Sequence, residues 1–144
     1  MQKVYIMVGI PGSGKTTFAK KLQNASYLGT DDIRKELYGK ELTLRGHGKV
    51  HGILHERILQ ELNSKKDIVI DCMNIRKTQR KKLLELLSRD EQVVAVHMDT
   101  SLFQALKNNR KRQRHVPVFG ILFFYLIKEV PTIHEGFSDV IHIS

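Results

Sequence analysis

Two hydrophobic rhythms alternate along the chain. Short runs rich in apolar and β-branched residues read as strands: Val4 to Val8, Tyr27 to Thr30, Asp67 to Asp71, Val93 to Met98 and Asp139 to Ile143. Between them the spacing turns helical. Helices are predicted over Gly14 to Gln23, Asp32 to Leu37 and His51 to Leu62, the last with Ile53, Leu54, Ile58, Leu59 and Leu62 on one face. Further helices are predicted over Ile75 to Leu87, Leu102 to Arg112 and Val118 to Lys128, with Gly39 to Gly48 as a loop. Strands alternating with helices imply an α/β fold with a parallel sheet. The third strand is almost continuously apolar, as a strand covered on both faces must be. One domain over residues 1–144 is expected.

Val116 to Ile127 contains only apolar residues, Pro and Gly. It is too short to span a bilayer, so it reads as a buried or interfacial helix, and no membrane partner is expected. A helix apolar nearly all round must be buried or covered, and a homo-oligomer through residues 118–128 would cover it. Stacking of Phe119, Phe123, Phe124 or Tyr125 on the bases of a single strand is the other reading.

Charge narrows the partners. The formal net charge is +9, an excess that favours nucleic acid or several phosphates at once. The single cysteine, Cys72, excludes an internal disulfide, and Met1-Gln2-Lys3 runs into the first strand without a signal-peptide pattern. Both fit a cytoplasmic location.

The chemistry starts at Gly9-Ile10-Pro11-Gly12-Ser13-Gly14-Lys15-Thr16, which fits G-x-x-x-x-G-K-[ST] after a strand and before a helix. Glycines let backbone N–H groups converge on phosphate oxygens, and the helix N-terminus adds positive potential. Gly12, Ser13, Gly14, Lys15, Thr16 and Thr17 are therefore the nucleotide-binding candidates. Lys15 should reach the β and γ phosphates of ATP, and the Thr16 hydroxyl should ligate Mg²⁺. The second strand ends in Thr30-Asp31-Asp32-Ile33-Arg34, where strand ends line the ligand crevice. Asp31 and Arg34 are three apart and share a helical face. Asp31 can accept a proton from an attacking hydroxyl and Arg34 can hold an acceptor phosphate; alternatively Asp31 caps the helix and Arg34 is solvated. Asp71, at the end of the third strand, suits Mg²⁺ or serves to order the loop. Asn74 is placed to bond a ligand or to cap a helix beginning at Ile75. Five Lys/Arg residues lie within Lys107 to Arg114, ahead of Val116-Pro117, and form a candidate lid over about 104–117 or a solvated basic face.

Two further groups stand out. His47, His51 and His55 fall four apart and form a face suited to a substrate groove or, less well among glycines, to zinc. Arg76, Lys77, Arg80, Lys81 and Lys82 read as a solvated basic face or a nucleic-acid track.

Together, Gly9 to Thr16, Asp31-Asp32-Ile33-Arg34, Asp71-Cys72-Met73-Asn74 and the basic run ending in Val116-Pro117 resemble the polynucleotide 5′-kinase family. The likeness extends to the Glu135-Gly136-Phe137 turn before the last strand. It implies a P-loop NTPase kinase fold: a five-stranded parallel sheet flanked by helices, with a basic helical lid. It implies transfer of the ATP γ-phosphate to a 5′-hydroxyl end of DNA or RNA, with Asp31 as general base. Arg34 would contact the acceptor's 3′ phosphate and Arg112 would clamp the donor phosphates. The chain departs from the family where Asn108 replaces an arginine, where Cys72 and Met73 replace smaller residues, and in its all-apolar last helix. Two other functions fit the same residues. One is a kinase for a hydroxymethylated DNA base or a nucleoside-like acceptor. The other is an ATP-binding interaction module without transfer.

Overall fold

A computed structural model describes residues 1–22, 24–39, 46–87, 90–112 and 115–144. The elements follow in order as β1 (Lys3–Val8), α1 (Lys15–Lys20), β2 (Ala25–Gly29), α2 (Thr30–Tyr38), α3 (His47–Leu62) and β3 (Asp67–Asp71). Then come α4 (Lys77–Leu86), β4 (Gln92–Met98), α5 (Leu102–Lys111), α6 (Val118–Ile127), a 3₁₀ turn (Ile133–Glu135) and β5 (Asp139–Ile143). The five strands form one parallel sheet in the order β2-β3-β1-β4-β5. The chain leaves β1 toward β2 on one side and later adds β4 and β5 on the other. The loop after β1 therefore opens at the point where strand order reverses, the place where such sheets bind ligands.

Alternate strand residues divide the core, as period-2 side chains must. Val4, Ile6 and Val8 of β1, Ile68 and Ile70 of β3, and Val93 and Ala95 of β4 pack with Ile33 of α2, Val50, Leu54 and Ile58 of α3 and Leu83 of α4. Met7, Val69, Val94 and Val96 face the other way, with Ala19 of α1. A third cluster, Ile10, Ile75, Ala105, Val116 and Ile121, seats α5 and α6 beneath the loop that follows β1.

Several boundaries move for local reasons. α2 begins at Thr30, not Asp32, because Gly29 is the last extended residue. α3 begins at His47, after Gly46 in the left-handed region. The loop expected over Gly39 to Gly48 falls in part on residues 40–45, outside the described residues. α4 begins at Lys77 instead of Ile75: Asn74 has φ +50°, and Arg76 is extended with its N–H bonded to Gln79 Oε1 at 3.2 Å.

Two expectations about side chains are corrected. Arg80 is not part of a solvated basic face. It is fully buried, its Nε and Nη2 donating to Glu135 at 2.8 and 3.1 Å and its Nη1 to the Asn74 carbonyl at 2.8 Å. Arg76 is also engaged, donating to the Ile127 carbonyl at 2.7 Å and pairing with Glu129. α6, expected to be buried or interfacial, is buried on one side only. Ile121 is wholly inside, yet Phe119 is 85% and Leu126 72% exposed, and Leu122 and Phe123 join them on one stripe. No helix among the described residues is long and apolar enough to cross a membrane.

Removing one partner of a buried ion pair strands the other, at a cost of about 3–5 kcal/mol. Arg80→Ala should lower stability by about that much in urea unfolding; an unchanged midpoint would show that the Arg80–Glu135 contact holds nothing together. Burial acts to raise the Glu135 carboxyl, but bonds from Arg80 and the Thr132 N–H outweigh it and hold the group below its ordinary value. The pair's contribution is therefore complete above the ordinary carboxylate range and is lost as pH falls through the depressed value. The wild-type and Arg80→Ala unfolding curves should converge at acid pH.

Candidate active site

The loop after β1 is fixed by its carbonyls and by one strand bond. Gly9 N–H donates to the Met73 carbonyl at 2.9 Å, tying the loop to the end of β3. Gly12 and Gly14 have φ of +83° and +86°, a region that favours glycine. At Gly12 a Cβ would stand 2.4 Å from the Ala105 carbonyl oxygen, so α5 lies directly against the loop. Asn108 Nδ2 donates to the Gly12 carbonyl at 2.8 Å, and Thr100 Oγ1 to the Ser13 carbonyl at 3.0 Å. The Gly12 and Ser13 carbonyls are held from outside, and the Ser13 N–H donates to the Ile10 carbonyl at 3.1 Å, so the loop is closed on itself in the compact turn an anion cradle needs. Gly14 precedes α1 without a side-chain cap, so the helix's first N–H groups belong to the same cradle. Lys15, Thr16 and Thr17 form the first turn of α1.

Asp71 joins this loop to the sheet. The Thr16 hydroxyl donates to Asp71 Oδ2 at 2.7 Å, and the Tyr27 hydroxyl from β2 donates to the same oxygen. Asp71 Oδ1 is buried without a partner. Burial first, and then the Asp71 carboxylate, push the Tyr27 phenol well above its ordinary value. The same causes raise the Cys72 thiol to about 12, which makes it an inert core thiol. A hydroxyl beside an orphaned carboxylate oxygen fits a hard cation such as Mg²⁺. Among the described residues no three His, Cys, Asp or Glu side chains gather to hold a metal, so further ligands would come from bound phosphate and water. His47, His51 and His55 do not gather into such a group either.

The other wall is the start of α2. Gly29 pairs with Asp71 across β2 and β3, so Asp31 follows two residues after the strand end that lies beside Asp71. Arg34 Nη1 donates to Asp31 Oδ1 at 3.2 Å, the side chains being 14% and 42% exposed. Arg34 is thus inside the wall, not solvated. Gly29, not Asp31, occupies the N-cap position, so helix capping does not account for Asp31. Asp32 faces outward. The shared-face expectation for Asp31 and Arg34 holds.

Other expected residues land elsewhere. Asn74 neither caps a helix nor faces an open ligand space; it is buried, donates to the Met7 carbonyl at 2.9 Å, and accepts from Cys72 Sγ at 3.2 Å. Arg112 ends α5, its N–H bonded to the Asn109 carbonyl at 3.2 Å. The contact from α5 to the loop is made by Asn108 and Ala105, about one and two helical turns earlier. The run to Val116-Pro117 is held by Asn109, whose amide exchanges two bonds with the Val116 backbone at 2.8 and 2.9 Å. Arg114, in the middle of the expected lid, lies outside the described residues. Tyr27 and Thr100 were not among the sequence candidates. Both act across long sequence separations, and neither sits in a local motif.

Comparison with known proteins accords with this geometry. A family model described as an AAA domain matches residues 4–119. No curated protein sequence is similar enough to count as a match. Among solved structures, a chain of the Pnkp1/Rnl/Hen1 RNA repair complex superposes with TM-score 0.71 at 19% identity, over 89% of this chain and 46% of that one. Kti12 of Chaetomium thermophilum, in complex with ADP-AlF3, superposes with TM-score 0.76 at 19% identity, over 98% and 88%. A gluconokinase from Sinorhizobium meliloti 1021 gives 0.63 at 19% identity, over 97% and 81%. The chain spans less than half the length of the RNA repair protein it resembles. With its nucleotide-type loop, parallel sheet and match over most of its length, this chain belongs to the AAA-domain family and has the P-loop kinase fold.

Proposed function

We propose that the chain is an ATP-dependent polynucleotide kinase that phosphorylates the 5′-hydroxyl end of DNA or RNA. The observation that carries this reading is the Asp31–Arg34 pair, a carboxylate bonded to a largely buried guanidinium at the start of α2, just past the end of the strand that pairs with β3. A carboxylate alone there would serve any hydroxyl. An arginine beside it selects an acceptor that already carries phosphate. The net charge of +9 supports a polyanionic acceptor, and the RNA repair complex among the structural neighbours is consistent with it.

In this reading Gly12 to Thr17 cradle the donor phosphates, and Lys15 neutralises the β and γ oxygens. Thr16 and Asp71 would hold Mg²⁺, which would supply charge neutralisation on those oxygens. Asp31 accepts the proton of the 5′-hydroxyl as its oxygen bonds to the γ-phosphorus. The bond from that phosphorus to the β–γ bridging oxygen breaks, and ADP leaves. Arg34 orients the acceptor through its 3′ phosphate, and Arg112, from the end of α5, clamps the donor phosphates.

A smaller acceptor is the second reading, favoured by the gluconokinase and sugar kinase among the neighbours. The two differ in salt response, because binding that tracks several phosphates weakens steeply as salt rises and binding of a single small acceptor does not.

Asp31→Ala should lower transfer to a 5′-hydroxyl oligonucleotide by about 10²–10⁴-fold, the usual worth of a general base, while ATP binding stays within twofold. Chelating Mg²⁺ should stop transfer in the wild type. Transfer undiminished in Asp31→Ala would remove that residue from catalysis. The exposed stripe of Phe119, Leu122, Phe123 and Leu126 reads as a contact between copies of the chain. Sedimentation should then show a concentration-dependent dimer that Phe123→Glu abolishes; a single 16.6 kDa species at every concentration would contradict it.

A further inference from the structure

The face of α3 that carries His47, His51 and His55 is joined to the candidate acceptor wall. The histidines are four apart, so they climb one side of the helix by about 6 Å per step. Arg34 Nη2 donates to His47 Nδ1 at 3.4 Å, and the His47 and His51 rings lie 4.4 Å apart. A guanidinium cannot accept a hydrogen bond, so His47 Nδ1 is the acceptor in this contact. Arg34 Nε is buried with no partner.

Charge accumulates here from three helices. Burial first, then His47 and His55 of α3, Arg34 of α2 and Lys82 of α4, oppose protonation of His51 and hold it down at about 4. Burial and Lys82 also lower His55. These groups all disfavour added positive charge, and an anion placed among them would relieve that.

The same helix has an open surface beside its histidines. Gly48 and Gly52 each follow one of them, and a Cβ at either position would meet no described atom within 4 Å. Internal packing therefore does not require glycine, although glycine weakens a helix interior. Bare backbone lets a ligand chain approach closely.

We propose that His47 and His51 form a second anion subsite, continuous with Arg34, that takes the next phosphodiester of the acceptor strand over the floor left by Gly48 and Gly52. The proposal rests on the polynucleotide kinase reading, and gives it a means of measuring strand length. It carries a pH signature. The free imidazole of His51 protonates only near 4, and a bound phosphodiester raises that value. Between the two values binding takes up a proton, so affinity strengthens as pH falls and levels off near the lower one.

The test is binding of a 5′-hydroxyl oligothymidylate, which has no group titrating in this range, to the full chain between pH 7.5 and 5.5 at constant ionic strength. Transfer of labelled phosphate to the same oligonucleotide is followed in parallel. Wild-type affinity should rise about tenfold on acidification if His51 recovers its reference value of about 6.5 in the complex. His47→Asn with His51→Gln should flatten that rise. Gly48→Ala with Gly52→Ala should raise Tm yet weaken binding. A flat wild-type profile, or the same rise in the histidine variant, overturns the subsite even if transfer proceeds. The histidine-dependent rise without transfer keeps the subsite and removes the kinase reading. No binding at any pH overturns both.

Discussion

Asp71 sits at the end of β3 with its carboxylate 5% exposed, and a buried carboxylate without donors or a cation costs several kcal/mol. Its Oδ2 meets that demand with hydroxyls from two other elements: Thr16 on α1 and Tyr27 on β2. Those two bonds fix the phosphate loop and the second strand relative to β3. The position of β2 in turn sets where α2 begins, and with it Asp31 and Arg34. The phosphate loop and the start of α2 are thus both positioned around one carboxylate. Its remaining oxygen is unpartnered, which leaves room for the cation that phosphate chemistry needs.

A second set of bonds supports the loop from below. Ala105 and Asn108 of α5 press on Gly12, Thr100 holds Ser13, and Asn74 holds the end of β1 through the Met7 carbonyl. Arg80 then grips the Asn74 carbonyl from inside the core while pairing with Glu135 near the start of β5. Side chains that look like surface charge or ligand contacts in the sequence are therefore spent on stiffening backbone. Stiffness here matters because a phosphate cradle works only if its N–H groups are already aimed when the nucleotide arrives.

What could be read from the sequence was local. The phosphate loop is contiguous, and Asp31 and Arg34 are one helical turn apart, so spacing alone places them on one face. β3 falls on the residues expected of it because a buried parallel strand is a continuous apolar run, whereas β5, at the sheet edge and partly exposed, was marked only by its short β-branched run. The bonds that join the site were not legible, since Tyr27 meets Asp71 across 44 residues, Arg80 meets Glu135 across 55 and Asn108 meets Gly12 across 96. No local pattern marks such partners. The left-handed turn at Asn74 moved the start of α4 for a similar reason: its buried amide is held by Met7, which is distant in sequence. In α6 composition left two outcomes open, because an all-apolar helix says that apolar surface exists and not that this chain alone covers it.

The central claim is that the donor loop and the Asp31–Arg34 wall together serve a 5′-hydroxyl on a phosphate-bearing strand. Incubating the protein with γ-labelled ATP and Mg²⁺ tests it most directly, offering a 5′-hydroxyl oligonucleotide, its 5′-phosphorylated counterpart and free nucleosides side by side. The account predicts label on the 5′-hydroxyl oligonucleotide alone. Label on a nucleoside, on both oligonucleotides alike, or on nothing while ATP remains bound would contradict it.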